Sequence, residues 1–461
     1  MHRAEEMTVS LGGPRVGLAL MPEAAGPEPY AQTAAIQQVV RRALLAGGLG
    51  QIDPGRPLAD IIKRGSSVLL KPNWVLHENR SGRTMDCMIT HPAFLLAVLR
   101  EVVTAGPGRV IIADAPIQSA KFDLIAPLSL QKAVREICGA VPFEIVDLRN
   151  LVATVTESRF DVKSSRRSAE RCVLFTMGRE SCLEPISKDE GIFRNTCYDS
   201  RDMASIQRRG KHSFLLCREP FEVDVILNLP KLKAHAKAGI TAALKNLVGL
   251  NGDKNFLPHH RVGGSALGGD CYEGLKPFKR AAEVCVDMAN RRIGRSSYSV
   301  WIKAAAALNH VHGGDLEGKW YGNDTTWRMV LDLNRLLIYG KLDGTLASAP
   351  QRRVFSLTDG IVAGQRNGPL APEEIPLGAV TFGENSAFVD IVHAALMRFD
   401  WRRLPLLREA FAPMQYPLAG ATADEVTVHC DGRVLSLDEV AKECGMAFCP
   451  PDGWTGHVEL R

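Results

Sequence analysis

The sequence predicts an α/β protein built on a mostly parallel sheet flanked by helices, with an inserted side lobe. Three observations predict it. Short, uninterrupted apolar runs recur along the chain, as in SVLL at Ser67–Leu70, RVIIA at Arg109–Ala113 and the run from Val223 to Leu227. Such runs mark strands buried on both faces, as parallel sheets require. Between them lie segments with apolar residues at helical spacing, and strands alternating with helices give a sheet covered on both sides. The 461 residues are 46% apolar and 23% charged, enough for one large domain or two or three smaller ones.

Taken in order, Val16–Leu20 reads as a strand and Ala34–Leu45 as an amphipathic helix. Ser67–Leu70 is a strand. Thr90–Ala105 opens on Thr-His-Pro, a helix start, and continues as FLLAVLREVV. Arg109–Ala113, Phe143–Leu148 and Val223–Leu227 are strands, followed by a helix over Ile240–Leu250. A helix over Thr325–Tyr339 is capped by Asn323 and Asp324. Val354–Leu357 and Ala379–Phe382 are strands, and Ser386–Phe399 is a helix. After Thr422 the pattern VTVHCDGRVLSL reads as a small hairpin, followed by a short helix. This divides the chain into a first α/β half (14–150), a polar insertion or β-rich lobe (151–217, with Arg166-Arg167), a second half (218–400) with a helical insert (262–350), and a C-terminal appendage (401–461). The layering is Rossmann-like.

The strand ends carry the polar residues. SVLLKP runs into Asn73, VIIA into Asp114, EIV into Asp147, VILN ends at Asn228, FSLT meets Asp359, and AVTFG meets Glu384-Asn385. In an open parallel sheet these ends share one edge, where ligands bind. Each residue is also a good turn or cap former; it is the set that favours a crevice. From Lys231 to Arg261 the chain is cationic, with Lys231, Lys233, His235, Lys237, Lys245, Lys254, His259, His260 and Arg261 against one acid, Asp253. A folded, cationic loop-plus-helix after a buried strand suits an anion. On that helix Thr241 and Lys245 stand four apart and share a shoulder.

Other polar positions read as structural. Asn334 falls in the buried stripe of its helix and needs a partner, since an unsatisfied buried amide costs about 1–3 kcal/mol. It fastens a neighbouring loop or faces a ligand. Arg328, Asp332 and Arg335 read as an ion-pair cluster, and Asp390 with His393 as a structural pair.

The histidines with Asp114 or Asp359 form no spacing that suits zinc. Strand-end carboxylates at Asp114 and Asp359 suit Mg²⁺ bridging to a phosphate better. The glycine clusters match no Walker or dinucleotide fingerprint. The net charge of +5, with few aromatics, gives no expectation of a nucleic-acid partner. No apolar run is long enough for a signal core or a membrane span. Eleven cysteines without a C-x-x-C pair lead us to expect reduced thiols in a cytoplasm and no iron–sulfur cluster.

The motifs KPN at Lys71–Asn73, Thr90-His91-Pro92, NLPKLKAH followed by GITAALKNLVGL, Thr358-Asp359-Gly360-Ile361-Val362 and Asn367-Gly368-Pro369-Leu370 together resemble the family called domain of unknown function 362. The resemblance spans roughly residues 65 to 400. WYGNDTTWRMVLDLNRLLIY resembles a branch associated with polysaccharide-related gene neighbourhoods. The resemblance implies a shared site without a reaction. Many relatives carry a ferredoxin-like module with clustered cysteines, and this sequence has no such cluster.

The expectation is an enzyme that binds an anionic small molecule, a phosphorylated or carboxylated sugar intermediate, with Mg²⁺ as a candidate cofactor. His235, Lys245 and Asp359 are the candidate catalytic residues. Lys71, Asn73, Asp114, Lys233, Lys237, Thr241, Asn246, Lys254 and Asn367 are candidate ligand contacts. The rivals are a non-catalytic anion-binding or scaffold protein of a polysaccharide pathway and, third, a redox or metal-cofactor protein.

Overall fold

Alternate residues of the central strands bury toward opposite helical layers. Val68 and Leu70 pack with Ile36, Val39, Phe94 and Val98, whereas Leu69 packs with Leu247, Leu250 and Leu337. That period-two split is what a strand buried on both faces requires. The structure is a computed structural model describing residues 9–22, 28–155, 160–165, 167 and 169–460. Arg166 of the insertion lies outside the described residues.

The central sheet holds twelve strands: β1 (Arg15–Leu20), β2 (Ser67–Pro72), β3 (Arg109–Asp114), β4 (Phe143–Asp147), β5 (Val225–Leu229), β6 (Lys231–His235), β7 (Gly239–Thr241), β8 (Val354–Asn367), β9 (Ala371–Ile375), β10 (Ala379–Gly383), β11 (Thr427–Cys430) and β12 (Arg433–Leu435). Along its main path the order is β12-β11-β1-β10-β8-β5-β2-β3-β4. The pairings set β11, β1, β8, β5, β2, β3 and β4 in one direction and β10 and β12 in the other. The sheet is therefore mostly parallel, as expected.

The described helices of eight or more residues are Thr33–Ala46, Pro92–Ala105, Leu128–Cys138, Pro277–Asn290, Tyr298–His310, Thr326–Tyr339 and Ser386–Leu396. His91 caps the second of these, its Nδ1 accepting from the Ala93 amide. Gly17 lets the first helix sit on β1, because a Cβ there would stand 2.3 Å from the Ala43 carbonyl oxygen. Among the described residues no helix is long and apolar enough to cross a membrane.

Three expectations need correction. The Lys231–Arg261 segment is not a loop followed by one helix over Ile240–Leu250: Lys231–His235 and Gly239–Thr241 are antiparallel strands, and only Ala243–Asn246 is α-helical before a 3-10 turn at Leu247–Leu250. β6 extends the sheet beside the second half of β8, with Lys231 opposite Asp359. Glu384-Asn385 does not join the ligand edge, because β10 runs antiparallel to β8 and ends opposite Ser356. Asn385 instead caps the Ser386–Leu396 helix. The C-terminal hairpin is continuous with the sheet, β11 lying parallel to β1. Segment 151–217 contributes two antiparallel pairs outside it, Leu151–Val155 with Phe160–Ser164 and Cys172–Thr176 with Ser213–Cys217.

Candidate functional site

Three linked groups of polar side chains lie at and beyond the carboxyl ends of β2, β3 and β5, level with the middle of β8. The first is closed, with its one carboxylate paired to Lys71 and its second lysine, Lys233, held by an amide and a carbonyl. Lys71, from the end of β2, points its ammonium at Asp114 Oδ1 of β3 at 2.8 Å and donates to the Pro72 carbonyl. Asp114 Oδ2 accepts from the Trp74 amide at 2.6 Å. Asn73 Nδ2 donates to Asn246 Oδ1 at 2.9 Å, and Asn246 Nδ2 donates to Asn228 Oδ1 at 2.7 Å and to the Lys71 carbonyl. Lys233 of β6 donates to Asn73 Oδ1 at 2.6 Å and to the Met88 carbonyl. Burial pushes the Lys71 ammonium down and the Asp114 carboxyl up, and their attraction opposes both shifts. Burial draws Lys233 down to about 7, helped by Lys231 and Lys245. Gly249 closes this group, since a Cβ there would fall 2.1 Å from Asp114 Oδ1.

The second group is balanced. Asp359, in mid-β8, accepts from the Tyr30 hydroxyl at 2.6 Å and the His91 amide at 3.0 Å, and pairs with Lys231 at 3.0 Å. Lys231 donates in turn to the Tyr30 hydroxyl at 2.6 Å, and the Tyr30 ring stacks on His91. Lys231 and Asp359 are both fully buried.

The third group lacks that balance. Lys245, on the short Ala243–Asn246 helix, is half-buried and has no hydrogen-bond or ion-pair partner among the described residues. Its ammonium is drawn down to about 7, first by burial and then by Lys254, Lys237 and Lys71. Lys254 donates to the Ala115 and Asn251 carbonyls and is drawn down to about 8, first by burial. Lys237 meets one acid, Glu317, at 3.7 Å. His235 and His259 are held well below their ordinary range, first by burial and then by these lysines, and are neutral at pH 7.

Their tautomers follow from their partners. His235 Nδ1 accepts from the Lys237 and Ala238 amides, so its proton sits on Nε2. His259 Nδ1 faces the Leu257 carbonyl at 2.9 Å and must donate, which leaves the Nε2 lone pair open. The cluster thus presents cations, one imidazole N–H donor and one imidazole acceptor.

The helix bearing Lys245 is fixed by Asp390, which accepts from the Ala243 and Leu244 amides at 2.7 and 2.9 Å. His393 holds Asp390 at 3.0 Å, and its other nitrogen meets Thr381 Oγ1. The Asp390–His393 pair is structural, as read from the sequence. Asn334 fastens this loop through the Leu244 carbonyl at 3.0 Å, and Asp332 pairs with Arg335.

Of the candidate residues, Lys71, Asn73, Asp114, Lys233 and Asn246 meet in one network. Asp359 stands in the neighbouring one, and His235, Lys237, Lys245 and Lys254 line the third. Thr241 lies opposite Lys233 in the β6–β7 register, its buried hydroxyl without a partner. Asn367 is apart: exposed at the far end of β8, it donates to Asp452 at 2.8 Å. Asp114 and Asp359 each face a lysine, and among the described residues no three metal-ligating side chains cluster. Sequence reasoning omitted Tyr30, from a segment without a site signal, and named His91 only within the Thr90-His91-Pro92 motif and helix start, not as a site residue. It counted His259 in the cationic stretch and among the histidines weighed for a metal, but not as a site residue.

Comparison with known proteins adds a family and little else. A thylakoid-associated protein of Synechocystis sp. is 28% identical over 206 residues, 45% of this chain and 46% of that protein. The chain thus spans about half the length of this curated relative. A Thermotoga maritima protein of known crystal structure aligns over 78% of this chain and 56% of its own at 11% identity, with a TM-score of 0.34 that carries no argument. The model of the family described as domain of unknown function (DUF362) matches residues 68–395, from β2 to the end of the Ser386–Leu396 helix, and the chain belongs to that family.

Proposed function

We propose that the protein is an enzyme whose Lys245 cluster binds an anionic small molecule, a phosphorylated or carboxylated sugar. The observation that carries this reading is Lys245 itself, half-buried among other cations with no acid beside it among the described residues. A folded protein tolerates such an arrangement where a bound anion supplies the missing charge. Lys237, Lys245 and Lys254 neutralise the anion. His235 Nε2–H donates to it, and the open Nε2 of His259 accepts a proton from a substrate hydroxyl. The Lys71 and Asp359 networks hold the cluster in place. Mg²⁺ enters as a counter-ion brought by the ligand, because Asp114 and Asp359 already balance lysines. A cytoplasmic setting goes with this reading, as the eleven cysteines are free thiols.

The second reading is an anion-binding scaffold without turnover, such as a polysaccharide pathway would use. The occupied Nδ1 of His235 favours it, because that ring cannot act as a base. The test is calorimetry with pyrophosphate, sugar phosphates and uronates, with and without Mg²⁺, followed by mass spectrometry of each incubation. Binding with a new product supports the enzyme. Binding without a product supports the scaffold. Equal binding by wild type and Lys245→Met would overturn both.

A further inference from the structure

A pair of cysteines stands outside the roles assigned above. Cys172 and Cys217 face each other in the antiparallel pair Cys172–Thr176/Ser213–Cys217. The Arg218 amide donates to the Arg171 carbonyl and the Met177 amide to the His212 carbonyl. These fix the odd positions from 171 to 177 as hydrogen-bonded pairs, so Cys172 and Cys217 form a non-hydrogen-bonded pair. In such pairs the side chains approach most closely, with Cα atoms about 4.5 Å apart. That separation lies within the range a disulfide spans. Each thiol is the first influence on the titration of the other, Cys217 drawing Cys172 down and Cys172 raising Cys217.

We propose that Cys172 and Cys217 form a reversible disulfide, with Cys172 as the attacking thiol and Cys217 as the resolving one. The environments differ in the direction this order requires. Cys172 is partly exposed and receives the Asn150 amide at 3.2 Å. Its thiol is drawn down to about 6, chiefly by the Cys217 contact and then by Asn150 and Arg167, against the effect of burial. A thiolate held by donors and within reach of solvent is the reactive form. Cys217 is fully buried, its thiol donating to the Leu148 carbonyl at 3.4 Å.

With glutathione disulfide as oxidant, the Cys172 thiolate attacks one sulfur and expels one glutathione thiolate. Cys217 then gives up its proton to solvent and attacks Cys172 Sγ of the mixed disulfide, expelling the second glutathione. Two protein thiols are oxidised and one glutathione disulfide is reduced to two thiols.

The pair lies beside the cationic cluster. Leu216 bridges to Asn251, whose carbonyl accepts from Lys254. Any effect of oxidation on anion affinity rests on the function proposed above; the disulfide itself does not.

The experiment equilibrates the full chain in glutathione buffers from reduced to oxidised, quenches with N-ethylmaleimide and maps peptides by mass spectrometry. The expected product is a cross-linked peptide pair containing Cys172 and Cys217, lighter by two hydrogens. It should be reversed by dithiothreitol. Cys217→Ser should instead trap glutathione on Cys172, which also shows that the variant is folded around a reactive thiol. Alkylation of both cysteines across the whole series, or glutathione retained on Cys172 of the wild type, would overturn the proposal.

Discussion

Lys231 and Lys245 come from one cationic stretch and end in opposite electrostatic states. Lys231 is fully buried and touches a carboxylate and a phenol. Lys245 is half-buried and, among the described residues, touches neither. The first holds strands together: it joins β6 to β8 and, through Tyr30 and His91, to the segments before the first two helices. The second holds nothing of the protein. The lesson is that a buried lysine reads as scaffold when its counter-charge is built in, and as a receptor when the counter-charge must arrive.

The comparison breaks most severely at Asp359. Asp359→Asn should leave Lys231 buried without a countercharge and cost about 3–5 kcal/mol in urea unfolding. Gly249→Ala should force Asp114 and Lys71 apart and cost roughly 1–3 kcal/mol by the same measurement. If either is neutral, the balanced half is not the scaffold described.

Lys245→Met sharpens the other side. It should weaken pyrophosphate binding about tenfold, roughly 1.4 kcal/mol, while leaving the fold at least as stable at pH 7, because it removes a half-buried cation. Its pH dependence has two signs. Lys245 titrates near 7 in the fold, against 10.5 for a free lysine. Between these values the unfolded chain holds the proton and the folded chain does not, so the contribution of this residue to stability rises with pH. Anion affinity should fall over the same rise, as the cation is lost. Comparing wild type with Lys245→Met at pH 7 and pH 9, by urea unfolding and by calorimetry, checks both. The smallest effect belongs to Asn367→Ala, which should alter stability by no more than about 0.5 kcal/mol and leave anion binding unchanged.

Much of this was legible in the residues. β2, β3 and β5 announce themselves as apolar runs, and Asn73 and Asp114 sit where such runs stop. β6 was hidden because KLKAH looks like a solvated loop. Its charges alternate with Leu232 and Ala234, which is a strand pattern, but burial of both faces depends on partners distant in sequence. Glu384-Asn385 looked like another strand tip because local pattern carries no direction, and β10 runs the other way. Tyr30 meets Asp359 across more than three hundred residues, and no spacing rule reaches that far. The Lys245 cluster was legible as charge. Its lack of partners was not, because pairing is a property of the folded neighbourhood.

The seam between β1 and its neighbours has a consequence for biogenesis. Val16 and Leu18 pair only with Gly383 and Thr381 on one side and with Val428 and Cys430 on the other. At ordinary translation rates the nascent chain therefore carries an orphan apolar strand for roughly half a minute before either flank exists. Such an interval exposes it to misassociation. Folding of this protein should accordingly lean on a holding chaperone, and its yield in a cell-free translation should climb when one is added.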